Sequence, residues 1–94
     1  MNTSIILTLL KIDLGITHTA RDDYFTKLIE GSIGEIERRG IELYATNTDD
    51  QMLVADYSAW IYRKRQENIP LPHNINLRLR NRIVRKRSVE DGSI

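Results

Sequence analysis

Cysteine is absent from this chain, so neither a disulfide framework nor a thiolate metal site is open to it. Stability has to come from packing or from assembly. Long apolar runs are absent as well. The nearest approach, Ser4-Ile5-Ile6-Leu7-Thr8-Leu9-Leu10, follows no basic region, precedes no small-residue cleavage site and is closed by Lys11 and Asp13. That composition reads as neither a signal peptide nor a membrane span, and an intracellular soluble protein is the default expectation. Histidine occurs twice; His18 and His73 both fall in expected loops without a second ligand at metal spacing, which favours a surface or capping role. A phosphate-cradling glycine loop is missing too, because Gly31 and Gly34 lie inside a helical pattern rather than after a strand.

Two acidic pairs, Asp22-Asp23 and Asp49-Asp50, stand where helices are expected to begin. Interaction with the positive dipole end accounts for them, at about 0.3–1 kcal/mol each, without general acid–base chemistry. No nucleophile, base or metal cluster converges. The expectation is a protein that is not an enzyme and takes no metal or cofactor.

What is present amounts to one small domain of 94 residues with 40% hydrophobic and 29% charged residues, ordinary globular proportions. Its charge is unevenly distributed. Residues 1–62 carry ten acids and five bases, a balance of −5, whereas residues 63–94 carry nine bases and three acids, a balance of +6. Such a dipole along the sequence suits stacking on copies of the chain or on a differently charged partner.

Apolar periodicity predicts a first helix over about 3–14, ended near Gly15. Thr19 and Asp22 form a capping signal for a second. Phe25, Leu28, Ile29, Ser32, Ile33 and Ile36 then make one apolar stripe, with Gly31 and Gly34 suggesting close approach of a neighbouring backbone. Gly40 ends that helix, and residues 41–47 form a connection with room for a short extended piece or hairpin. Thr48-Asp49-Asp50-Gln51 reads as a capping box opening a third helix to about Glu67, apolar nearly all round and hence the axis of the core. Pro70-Leu71-Pro72 breaks the chain. Residues 74–86 show both strand-like alternation and four-residue recurrence, and helix is preferred because a lone strand would have no partner. Residues 88–94 read as a frayed tail.

The fold class expected is therefore all-α: a small three-to-four-helix bundle, residues 1–71 forming the core, with residues 72–94 as a projecting basic C-terminal helix and tail. Leu28, Ile29, Ile33, Leu53, Tyr57, Trp60 and Ile61 are core candidates. Asp56 joins them as a carboxylate needing a partner, either Arg63 or an arginine of the last segment.

The stretch YRKRQENIPLPHNINLRLRNRIVRKR, residues 62–87, holds nine of the fourteen basic residues. Nucleic-acid contact, protein docking and a solvated surface all remain open. Aromatics for base stacking are missing from its second half, while Ile75, Leu77, Leu79, Ile83 and Val84 lack cover, a mixture that favours docking onto protein.

The succession LLKIDLGIT, RDDYFTKLIEGSIGEIERRGI, TDDQMLVADYSAWIYRKRQE and PLPHNINLRLRNRIVRKR resembles the small head-tail connector proteins of tailed bacteriophages, also described as head-completion or DNA-packaging proteins. The likeness spans about residues 3–86 and rests on the order and spacing of its motifs. It implies a helical adaptor forming a ring of about a dozen copies under the portal protein, at the head–tail interface of a virion assembled in the host cytoplasm. Genome DNA would pass through it unread, and a tail-side connector or stopper would follow. The resemblance assigns Leu77, Arg78, Leu79, Arg80, Arg82, Ile83, Arg85 and Lys86 to the portal contact. Acidic and basic faces suggest Asp22, Asp23, Glu30, Arg63 and Arg65 as subunit contacts. The alternative is a small regulatory DNA-binding protein that uses the basic C-terminal helix for recognition.

Overall fold

A computed structural model describes residues 1–92, with side chains through Val84. Over these residues the chain is all-α, with four helices: α1 Thr3–Leu14, α2 Asp22–Arg38, α3 Thr48–Glu67 and α4 His73–Gly92. Helix α3 is the axis, touching each of the other three, while α1 and α2 also pack on each other. Among the described residues there is no strand, so 41–47 is a turn-containing connection rather than a hairpin.

Each helix end has a local cause. Asn2 caps α1 by accepting the Ser4 amide at 3.0 Å. Gly15 closes it in the left-handed region (φ 73), and the Ile16 amide reaches back to the Lys11 carbonyl at 2.8 Å. Glycine suits that closing position because it carries no Cβ to strain a positive φ. The two expected threonine caps do not form. Helix α2 begins at Asp22 after a turn, with Arg21 at its cap position and no side-chain cap; Thr19 contributes only its carbonyl, to the Asp22 amide. The carboxylate of Asp22 turns instead to Lys11 Nζ at 2.8 Å. Helix α3 begins one residue earlier than expected because Asn47, not Thr48, accepts the Asp50 amide at 2.9 Å, and asparagine ranks at least as high as threonine in that role.

The stripe on α2 packs as its spacing predicts: Phe25, Leu28, Ile29, Ser32 and Ile36 are buried and Ile33 half-buried. Its two glycines do not serve close packing. A Cβ at Gly31 would meet nothing within 4 Å, and one at Gly34 would meet only the end of Arg38. Small serines make the close approach. Ser32 and Ser58 are fully buried where α2 crosses α3, their hydroxyls 2.9 Å apart. Ser32 donates to the Leu28 carbonyl, and Ser58 divides its single proton between Ser32 Oγ and the Val54 carbonyl.

Leu53, Val54, Ala55, Tyr57, Ala59 and Ile61 bury much of the circumference of α3, while Trp60, Tyr62 and Asp56 are half-buried. The indole of Trp60 donates to the Ile69 carbonyl at 3.0 Å and fixes the path of the chain into the Pro70–Pro72 break. The carbonyl of Pro72 accepts the Asn76 amide, so α4 starts at once, at His73 rather than after a further loop. Ile75 and Leu79 belong to the same core cluster as the first three helices. Helix α4 also continues through the expected tail to Gly92, since Ser88 to Asp91 includes no residue that breaks a helix; residues 93 and 94 lie outside the described residues.

Three outcomes test this packing. Ser58→Leu should cost about 3 kcal/mol in urea unfolding, because the helices cannot separate without emptying the crossing. Ser32→Ala/Ser58→Ala, which removes both partners together, should cost less than about 1 kcal/mol. Burial raises the Tyr57 phenol above its ordinary pKa of 10.0, opposed by the nearby Arg39 guanidinium. The folded state thus holds this proton more tightly than the unfolded one, a contribution present in full below pH 10.0 and lost as pH rises above it. Tyr57→Phe should flatten that alkaline decline.

Candidate docking site

Helix α4 has two chemically distinct faces. The inner face places Ile75 and Leu79 in the core and Ile83 half-buried against it. On the same side, Arg78 Nη1 meets Asp56 Oδ2 at 2.7 Å, and Arg82 Nη2 and Nε meet Asp50 Oδ1 at 3.0 and 3.1 Å. The partner of Asp56 is thus an arginine of the last segment; Arg63 instead pairs with Asp13 at 3.2 Å.

Asp50 is the more constrained carboxylate. Its side chain is only 8% exposed, its Oδ2 accepts the Tyr44 amide at 2.9 Å, and its own amide is held by Asn47. Both of its carboxylate oxygens accept hydrogen bonds. It is therefore a structural tie between the 41–47 connection, α3 and α4, and more than a dipole-balancing acid at a helix start. The side chains of Asp56 and Arg78 are 38% and 29% exposed, so water screens that pair more strongly.

The outer face presents Leu77, Arg80, Asn81 and Val84, all exposed, with Leu77 at 40% and Val84 at 60%. Their spacing of i, i+3, i+4 and i+7 makes one continuous stripe. Of the residues assigned to partner contact, the structure therefore brings Leu77 and Arg80 to the surface together. It commits Leu79 to the core and engages Arg78 and Arg82 within the chain, because α3 offers a carboxylate opposite each arginine. The side chains of Arg85 and Lys86 lie outside the described residues. Asn81 and Val84 belong to the exposed stripe as well; Val84 is among the aliphatics expected to lack cover, and neither is in the set that the resemblance assigns to the portal contact.

The suggested subunit contacts are mostly engaged inside the chain. Asp22 holds Lys11, Glu30 lies 3.5 Å from Lys27, Arg63 holds Asp13, and Arg65 Nη1 donates to Tyr24 Oη at 2.9 Å. Asp23 is exposed. Unforeseen apolar exposure occurs on α1, where Ile5 and Ile12 face outward. Among the described residues no group of three or more His, Asp or Glu side chains is placed to hold a metal ion, and no helix is long and apolar enough to cross a membrane.

The two ion pairs should differ in cost when broken. Asp50→Ala leaves Arg82 facing a nearly closed site and should destabilise the chain by about 3 kcal/mol. Asp56→Ala should cost no more than about 1 kcal/mol. Parallel urea titrations give the comparison, and equal losses would show that Asp50 is no special tie.

No protein-family model, curated protein or solved structure matches the chain.

Proposed function

We propose that this chain is a structural adaptor of the head-tail connector type, from a tailed phage or a prophage. It docks onto the portal protein through the outer stripe of α4 and works as one copy in a ring at the head–tail interface. A tail-side connector would follow it, and genome DNA would pass through the ring without being read. The carrying observation is the division of α4 into a fastened inner face and a stripe combining Leu77 and Val84 with Arg80 and Asn81. A helix held rigidly from behind offers apolar anchors and polar fixing groups to a groove on another protein, with little ordering left to do on contact.

The alternative, a DNA-binding regulator reading through α4, is less well supported. Arg78 and Arg82 point to carboxylates rather than outward, and the outer stripe contains two aliphatic side chains where phosphate contacts would be wanted.

The test is co-expression of this chain with the portal protein encoded in the same phage or prophage genome, followed by affinity purification and sedimentation. The wild-type chain should co-purify as a large assembly. Leu77→Asp/Val84→Asp should reduce recovery at least about tenfold, as expected for loss of central apolar anchors, with an unchanged melting temperature. Failure of the wild-type chain to associate, or full association by the double variant, would refute the proposal.

A further inference from the structure

Away from α4, where α2 begins and α3 ends, two arginines converge on one tyrosine. The Arg21 guanidinium lies 4.7 Å from the centre of the Tyr24 ring, 5.4 Å from Phe25 and 5.9 Å from Tyr62. Arg65 Nη1 donates to the hydroxyl of the same Tyr24 at 2.9 Å. Both arginines are exposed, and among the described residues neither forms an ion pair with a carboxylate.

Packing alone gives an incomplete reason for this arrangement. Arg65 lies in the last turn of α3, where a cation suits the negative dipole end. Arg21 occupies the cap position of α2, where a cation is disfavoured, and it is held there by ring contacts that leave its charge outward. Two guanidiniums braced around one side chain also repel each other. Asp22 is bound to Lys11 and Asp13 to Arg63; Asp23, on the first turn of α2, and Glu67, at the end of α3, are exposed acids outside these pairs. Lys64, over the Trp60 ring, extends the basic surface along the last turn of α3.

We propose that Arg21 and Arg65 form a contact site for the phosphodiester backbone of duplex DNA. Guanidinium forks match phosphate oxygens, and stacking on Tyr24 fixes the orientation of one of them before contact. A site this exposed gives little hold on a single small anion, whereas a polyanion adds the gain from counterion release. Bases of a single strand would need an open aromatic face, and Arg21 already covers Tyr24 and lies over Phe25. The contact is therefore to backbone and independent of sequence. This site is separate from the α4 stripe and does not depend on the adaptor reading.

Binding of a fluorescent DNA duplex to the full chain, measured across salt concentrations, tests the site, together with amide chemical-shift mapping on the wild-type chain. Shifts should concentrate at residues 21–25 and 62–66. Arg21→Gln/Arg65→Gln should weaken binding roughly tenfold or more at low salt and reduce the slope of log K against log salt by about 1.8, two phosphate contacts' worth. Arg38→Gln, in the last turn of α2, should leave that slope unchanged. Wild-type mapping needs no variant, so a folding defect in the double variant leaves a decisive measurement. The proposal is overturned if shifts fall on α4 or nowhere, if the double variant keeps the wild-type slope, or if polyglutamate binds as tightly as DNA, which would point to an acidic protein instead.

Discussion

The nearly buried pair of Asp50 and Arg82 joins parts of the chain that local structure alone would leave loose. One carboxylate accepts from the 41–47 connection through Tyr44 and from α4 through Arg82, while its own backbone is held by the cap of α3. Because Arg82 and Arg78 are one helical turn apart and each meets a fixed carboxylate on α3, α4 is fixed in rotation as well as in position. A shift of one residue would turn the helix by about 100°, moving Leu77 and Val84 off the outer face and, according to its direction, carrying Arg78 and Arg82 towards the core or out to solvent, away from their carboxylates. The exposed stripe is thus a consequence of the ion pairs beneath it.

Helices were readable from sequence where short-range rules act alone. The 3.6-residue stripe of Phe25 to Ile36 and the glycine stop at Gly15 needed no knowledge of the rest of the chain. Caps were less readable, because threonine at 19 and 48 satisfied a pattern that a better-placed asparagine or a competing lysine took over in space. Gly31 and Gly34 misled in a similar way: a small residue within a helix signals close approach only if it faces a neighbour, and here Ser32 and Ser58 face each other instead. Asp56 was foreseen to need a partner and one of the two candidates was an arginine of the last segment, yet the equivalent need of Asp50 was hidden by its plausible role at a helix start. The division of α4 into two faces required knowing which side α3 would occupy, and so which carboxylates would be opposite.

The charge dipole of the sequence also takes on a different meaning in the fold. Among the described residues, three ion pairs join an acid of residues 1–62 to a base of residues 63–94: Asp13 with Arg63, Asp56 with Arg78, and Asp50 with Arg82. Part of the opposite charge that the sequence offers to other molecules instead draws the C-terminal third of the chain onto the first two thirds. Long-range attraction of this kind is screened by salt when exposed and persists when buried, so Asp50 and Arg82 carry more of it than the outer pairs.

Over its described side chains, what α4 leaves exposed is therefore smaller than a basic tail. An arginine-rich segment free in solution would meet any polyanion, with affinity set by charge count and lost in salt. Held against α3, the described outer face of the same segment presents two aliphatic side chains, one arginine and one asparagine in fixed geometry, a combination suited to discrimination by shape and desolvation rather than by charge alone. Rigidity also lowers the entropy cost of association, because side chains ordered by the fold need not be ordered by the partner. Fastening α4 from within is thus compatible with the docking proposed above, because the outer stripe stays exposed while the inner face is held.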